Sequence, residues 1–395
     1  MMTKLSGFWA WLLPGPTIMH ILTHPLTSYW HFLTTVFPVA GSLMFHAPLP
    51  KPYPVPVWHR SGLYMPAISG SQALRLAQST DAHTRDLAGI FIAIEQVSGH
   101  RQAINLATAL GLATLEQRCD EDPDRSARAY ACYWLGILRS QKDAHDPTVR
   151  DEAAAQIAFA KGIAAGSAQS AYQVGVMLKF DHDGPAAPAL RAALAHAQAA
   201  LGERARPGMS TGEALIRLSA ARGYHTGCYQ YAADLISDYV QLRHTHPAAA
   251  HRLHQRGARW MVTAATLPYP SESAERYLGD AWANGYWHLQ VSKDQAALWY
   301  TKALHNGSPR AGVALAQLYG AREITPPSPP SAPVRAYADA LLASVLTRAG
   351  SAENERATQV QNLVRAPLDA AQRRAALAYA HRLMAQYPRL NQAVP

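Results

Sequence analysis

The sequence has little charge, few cysteines and few of the common catalytic motifs. Charged residues make up 16% of the 395 residues, whereas apolar residues make up 49%. Long alternating runs of Val, Ile and Thr are nearly absent, which argues against a β-sheet protein and favours an all-helical one. The phosphate-binding P-loop, the dinucleotide-binding G-x-G-x-x-G and the zinc-protease H-E-x-x-H are also absent, so the sequence predicts no catalytic residue and no cofactor.

Cysteine is rare. The three cysteines are Cys119, Cys132 and Cys228, and no C-x-x-C pair occurs. This sparse, odd set indicates neither a zinc site nor a disulfide framework. Cys132 and Cys228 lie in apolar, helical contexts and are expected to be small core residues. A Cys119–Cys132 disulfide remains an open alternative if the chain is exported.

The positive charge is dispersed rather than concentrated. The net charge is +9 and the pI about 9.5, but the sequence has no Lys/Arg-rich run and no stretch in which aromatic and basic residues alternate. Nucleic-acid binding would require such a basic patch. It is kept only as an alternative function, and no nucleic-acid partner is predicted.

The amino-terminal segment lacks charge altogether. No Asp, Glu, Lys or Arg occurs from Leu5 to Pro50, and the first acidic residue is Asp81. Within this segment Leu26–Phe45 has about the length of a bilayer-spanning helix. We interpret residues 1–47 as a hydrophobic anchor or signal segment, with membrane contact through residues 5–47, and residues 48–70 as a Pro-rich extended linker. A membrane-anchored or exported protein is therefore expected; a buried arm in a cytoplasmic protein is the alternative.

A recurring spacing of small residues follows. Starting from Gly307, a small residue stands at position four (Ala311), an apolar one at eight, a small one at nine (Ala316) and a large one at twelve (Tyr319). The other copies are Gly166, Ser170, Val174, Gly175 and Leu178; Gly223, Gly227, Tyr231, Ala232 and Leu235; Pro270, Ala274, Leu278, Gly279 and Trp282; and Ala127, Ala131, Leu135 and Gly136. Five copies spaced 39, 57, 47 and 37 residues apart predict an internal helical repeat.

The spacing has a direct structural meaning. The glycine is expected to end one helix in a left-handed conformation, which only Gly or Asn adopts at low cost. Positions four, eight and nine lie on one face of the next helix, so small residues there let a neighbouring helix approach closely. Trp299 and Tyr319 are expected to fill the remaining space. Such helix pairs cannot bury their apolar faces alone and must stack.

The pattern A-A-L-W-Y-T-K-A-L-H-N-G-S-P-R-A-G-V-A-L-A-Q-L-Y, which ends at Tyr319, resembles the Sel-one-like repeat, a tetratricopeptide-like helix pair. The resemblance implies an all-α fold, an α-solenoid in which stacked antiparallel helix pairs form a right-handed superhelix. It also implies a non-enzymatic scaffold that binds a protein partner in its concave groove, as in bacterial envelope or secretion assemblies. Some relatives are linked to cell-wall or β-lactam chemistry, so an enzyme of that type is the alternative.

The resemblance and the spacing together divide the chain. Degenerate repeats are expected over residues 71–126, Sel-one-like repeats over 127–324, a Pro-rich insertion over 325–333, and a terminal repeat with a capping helix over 334–395. The loop Gly285–Ala296 looks like the loop between the two helices of that family. Trp287 or His288 stands where the family has a second glycine, so a remodelled loop is expected.

Two residue clusters are candidate sites. Tyr286, Trp287, His288, Tyr300 and Arg310 lie on or beside predicted loops, and Trp, Tyr and Arg dominate binding hot spots; we predict that they bind the partner. The second cluster contains four histidines, His244, His246, His251 and His254. No cysteine or carboxylate nearby completes a metal site there, so no metal is predicted.

Overall fold

The computed structural model describes residues 49–52, 74–98, 108–140, 149–180 and 211–391. The predicted segment 1–47 and most of the predicted linker 48–70 lie outside these residues. The α-helices of the described residues are α1 Ala82–Ser98, α2 Thr108–Glu121, α3 Arg125–Ser140, α4 Glu152–Ala165, α5 Ala168–Phe180, α6 Thr211–Ala221, α7 His225–Leu242, α8 Pro247–Thr266, α9 Glu272–Asn284, α10 Lys293–His305, α11 Pro309–Gly320, α12 Ala332–Val345, α13 Ala352–Arg365 and α14 Ala370–Gln386. Two 3₁₀ turns, Tyr286–His288 and Pro388–Asn391, complete them.

The helices pack one after another in antiparallel pairs, as expected for an all-α repeat protein. The described residues form two compact units: a first unit of residues 74–275, 303–308 and 381–391, and a second unit of residues 276–302 and 309–380. In the first unit α3 packs on α4, α5 on α6, and α7 on α8; in the second α12 packs on both α11 and α13. Among the described helices, none combines the length and the apolar character needed to cross a membrane.

The predicted glycine caps have the expected backbone. Gly166, Gly223 and Gly307 have φ of 106°, 79° and 96°. At each one the glycine N–H donates to the carbonyl three residues back, and the next N–H donates to the carbonyl five residues back, at 2.8 to 3.2 Å. These bonds satisfy carbonyls that a helix end leaves unpaired, and they turn the chain into the next helix. Arg322 has the same bonds at the end of α11 with φ 58°, although it is not a glycine.

Small residues face one another inside a helix pair. A Cβ on Gly227 would overlap the side chain of Ser219, and a Cβ on Gly162 would overlap that of Ser170. In each of these two contacts, the residue four positions before the capping glycine meets the residue four positions after it. The glycine–serine pairing therefore sets how closely the two helices of a repeat approach.

A second contact joins consecutive repeats and was not predicted. The residue seven positions before each capping glycine packs onto the position-nine glycine of the preceding repeat. Phe159 packs onto Gly136, Ile216 onto Gly175, and Tyr300 onto Gly279, in each case so closely that an added Cβ would overlap the partner. The position-nine glycines are thus the sockets for large residues of the next repeat, which explains why small residues recur there.

A disulfide joins α2 to α3. Cys119 and Cys132 are bonded and buried, so the structure decides the alternative that the sequence left open, and Cys132 lies in the core as expected. The turn within the closed loop is ordered by Asp122 and Asp124, whose carboxylates accept backbone N–H groups at 2.7 to 3.2 Å. Cys228 is a buried free thiol, as expected, and burial raises its pKa to about 12.

Candidate partner-binding groove

A groove runs along the second unit between alternate helices. Alternate members of a stack of antiparallel helices run in the same direction, so α9, α11 and α13 can present parallel faces. The groove consists of two adjoining cavities of about 570 and 860 Å³, and Tyr300, Ala314 and Gln317 line both. Its lining residues recur every three or four positions: Arg276, Asp280 and Ala283 on α9; Arg310, Ala314 and Gln317 on α11; Glu353, Arg356 and Val360 on α13.

One end of the groove is charged. The guanidinium of Arg276 pairs with Asp280 on the same helix. Arg310 on α11 pairs with Glu353 on α13, with Nε donating to Oε1 at 2.6 Å. Arg356 is exposed, and no ion pair joins it to another described residue. Three arginines from three helices, each within the first five residues of its helix, therefore line the same cavity.

Tyr300 forms the floor where the two cavities meet. Its side chain is buried against Gly279, and its hydroxyl donates to Asp280 at 2.7 Å. Burial, and then the bond to Asp280, raises the pKa of Tyr300 well above its usual range, so the phenol stays neutral. Tyr300 lies inside helix α10, and its ring is part of the contact between repeats rather than an exposed surface.

The other end of the groove is apolar. Val360, Leu363, Val364 and Leu368 line the larger cavity, and Leu363 is 73% exposed. Val360, Val364 and Leu368 are buried, so Leu363 supplies most of the exposed apolar surface among these four residues. The rim of this end is polar: Lys293 and Glu323, for example, lie 3.8 Å apart.

The loop that carries Tyr286, Trp287 and His288 lies close to the charged end of the groove. Tyr286 is 43% exposed, and Tyr277 contacts both Tyr286 and Trp287, with ring centroids 6.1 and 5.6 Å apart. Trp287 and His288 have φ of 58° and 61°. Both thus keep a left-handed backbone that glycine would adopt freely, at a cost of about 1–2 kcal/mol for each residue. The loop therefore keeps a glycine-like backbone, although large residues stand where a second glycine was expected.

The predicted partner-binding residues are only partly brought together. Tyr300 and Arg310 line the groove, whereas Tyr286, Trp287 and His288 line neither cavity. Tyr286 nevertheless lies near enough to Tyr300 to raise its pKa slightly. The sequence reasoning missed the remaining charged residues of the groove, Arg276, Asp280, Glu353 and Arg356. Their three-to-four-residue spacing on every second helix is the signal that could have found them.

The histidine cluster is held by other contacts. The ring of His254 stacks on Tyr239 with centroids 4.2 Å apart, and His251 lies 2.9 Å from the amide of Gln255. Across the ranges that the structure describes, no three His, Cys, Asp or Glu side chains form a group able to hold a metal ion.

One further motif was overlooked in the sequence. Residues 208–212 read G-M-S-T-G and match the nucleophile-elbow pattern G-x-S-x-G. The serine lies outside the described residues. The final glycine, Gly212, lies in the first turn of α6 and packs directly on the backbone of Gly175, so close helix packing accounts for that glycine.

Comparison with known proteins gives similarity to solved structures. No protein-family model matches the chain, and no curated protein matches it. Among solved structures, the chain is similar to a protective antigen present in uropathogenic Escherichia coli strains, which displays an SLR fold. The two are 18% identical, the match covers 78% of this chain and 70% of the other, and the TM-score is 0.33. The repeat architecture rests on the helix pairing seen in this chain.

Proposed function

We propose that the chain is a non-enzymatic helical-repeat scaffold that binds a segment of a protein partner in the groove between α9, α11 and α13. The observation that carries the proposal is the groove itself. It combines an apolar end that exposes Leu363 with a charged end built from three helices. Concave surfaces of this kind, apolar with a few polar groups that fix orientation, are typical binding sites.

We further propose that the scaffold works outside the cytoplasm, as part of an envelope-associated assembly. The Cys119–Cys132 disulfide supports this compartment, because structural disulfides persist in oxidising environments and are rare in the cytosol. The charge-free segment from Leu5 to Pro50 supports export or anchoring.

Photo-crosslinking in the source cells tests the groove. A benzophenone amino acid replaces Gln317, which is exposed at the middle of the groove, or Thr358, which is exposed on α13 outside the groove lining. The proposal expects a discrete protein adduct from position 317 and none from position 358. Equal adducts from both positions, or none from position 317, would count against a partner in the groove.

Thiol labelling tests the compartment. The protein is taken directly from cells into denaturant with a mass-tagged alkylating reagent, so that buried thiols become accessible. The proposal expects one tag, on Cys228, without reductant and three tags after reduction. Three tags without reductant would show that Cys119 and Cys132 are reduced in the cell and would refute an oxidising location.

A further inference from the structure

We propose that the groove recognises a peptide segment with acidic side chains at one end and apolar side chains at the other. This inference rests on the proposed function and specifies the chemistry of the partner. The groove is chemically asymmetric along its length, with arginines within the first five residues of α9, α11 and α13 and aliphatic side chains farther along α11 and α13. A peptide that lies along these helices therefore places one of its ends at the arginines and the other at the aliphatic side chains.

The charged end suits carboxylates. Three arginines and two carboxylates line the smaller cavity, so this end of the groove carries an excess of positive charge. Arg356 is exposed without an ionic partner among the described residues, and its planar guanidinium can bind a carboxylate through two hydrogen bonds.

The neighbouring ion pair between Arg310 and Glu353 can open to admit a carboxylate of the peptide. The side chains of Arg310 and Glu353 are 65% and 45% exposed. An exposed ion pair of this kind contributes little to stability, so an incoming carboxylate can replace Glu353 at Arg310 at small cost. The Arg276–Asp280 pair is less exposed, and Asp280 also accepts the hydroxyl of Tyr300. We expect that pair to stay intact and form the wall of the site.

The apolar end suits aliphatic side chains. Val360, Leu363 and Val364 come from one face of α13, and small residues such as Ala314 and Gly320 line the groove along α11. Small residues here leave the volume that larger partner side chains can fill. Burial of exposed apolar area such as that of Leu363 favours binding, while the arginines decide which end of the peptide lies where.

Selection from a displayed library of random peptides on the full chain tests the proposal. Counter-selection against Leu363→Gln removes peptides that bind elsewhere; Leu363 is so exposed that this variant should fold normally. We expect the remaining peptides to be enriched in Asp and Glu at one end and in apolar residues at the other. Groove-dependent peptides without that order would overturn this inference and leave the proposed function intact, whereas the absence of any groove-dependent peptide would overturn both.

Affinity measurements then identify the acidic contact. We expect the selected peptide to bind Arg356→Gln about tenfold more weakly than the unmodified chain, since charge-assisted hydrogen bonds are lost. Arg365→Gln is the matched control, because nine residues along the same helix place Arg365 on the opposite side of α13. Equal loss in both variants would overturn the assignment. Equally tight, Arg356-dependent binding of a single-stranded oligonucleotide would do so too, since it would favour a nucleic-acid partner.

Discussion

Gly175→Ala places a methyl group where two helices meet through their backbones. The added Cβ would lie 2.9 Å from the carbonyl oxygen of Gly212 and 3.0 Å from the backbone nitrogen of Ile216. Alanine is about 1 kcal/mol better than glycine inside a helix. Overpacking costs about 1–3 kcal/mol, and we take the upper part of that range because backbone atoms cannot rotate away. The free energy of unfolding should therefore fall by roughly 1–2 kcal/mol.

Gly136→Ala provides the comparison, because there the added methyl group would overlap a side chain rather than the backbone. There the Cβ would lie 2.5 to 2.8 Å from ring atoms of Phe159. Adding Phe159→Leu should relieve the overlap, with a favourable coupling of about 1–2 kcal/mol in a double-mutant cycle. Adding Ile216→Ala to Gly175→Ala removes only the overlap with Ile216 Cγ1, also at 2.9 Å, so the coupling should be smaller, since the backbone atoms remain.

Urea unfolding of the full chain measures these energies, and amide hydrogen exchange in α5 and α6 localises the effect of Gly175→Ala. Gly89→Ala in α1 is the control: its Cβ would have Arg118 at 4.0 Å as its nearest neighbour, so it should gain about 0.5–1 kcal/mol. If Gly175→Ala is as stable as Gly89→Ala, or if neither cycle shows a favourable coupling, the assignment of the position-nine glycines as sockets is wrong.

Three further predictions concern charge, strain and covalent linkage. Burial raises the pKa of Asp339 from 3.8 to about 7, although Arg335 opposes the shift, so the folded state holds a proton that the unfolded state has released. Stability should therefore fall by roughly 2 kcal/mol from pH 5 to pH 7, and Asp339→Asn should remove that part of the slope in urea titrations; an unchanged slope would contradict it. Arg322→Gly should raise the free energy of unfolding by about 1 kcal/mol by relieving a left-handed backbone, and a lower melting temperature would argue against this strain. Reduction of Cys119–Cys132, which closes a short loop, should cost about 3 kcal/mol, measured as a dithiothreitol-dependent fall in stability that Cys119→Ser reproduces without reductant; equal stability of the oxidised and reduced chains would show that the crosslink is dispensable.

Local signals predicted much of the fold. A capping glycine needs only its own backbone conformation and two nearby carbonyls, so Gly166, Gly223 and Gly307 could be recognised from their spacing and their neighbours. The recurrence of small residues likewise indicated stacked helix pairs. The loop at Trp287 shows the limit of this reasoning, because a left-handed backbone held by a bulky residue leaves no glycine to find.

Contacts between helices could be found only in three dimensions. The structure places the ring of Tyr300 against Gly279, because the register between α9 and α10 decides which residue fills that socket. Arg276, Arg310 and Arg356 are far apart in sequence, and only the parallel alignment of alternate helices brings them to one end of a groove. The sequence by itself determined where helices end and which faces must pack. The tertiary structure decided which large residue meets which glycine, whether Cys119 meets Cys132, and where a charged site forms, since each depends on how separate helices are aligned.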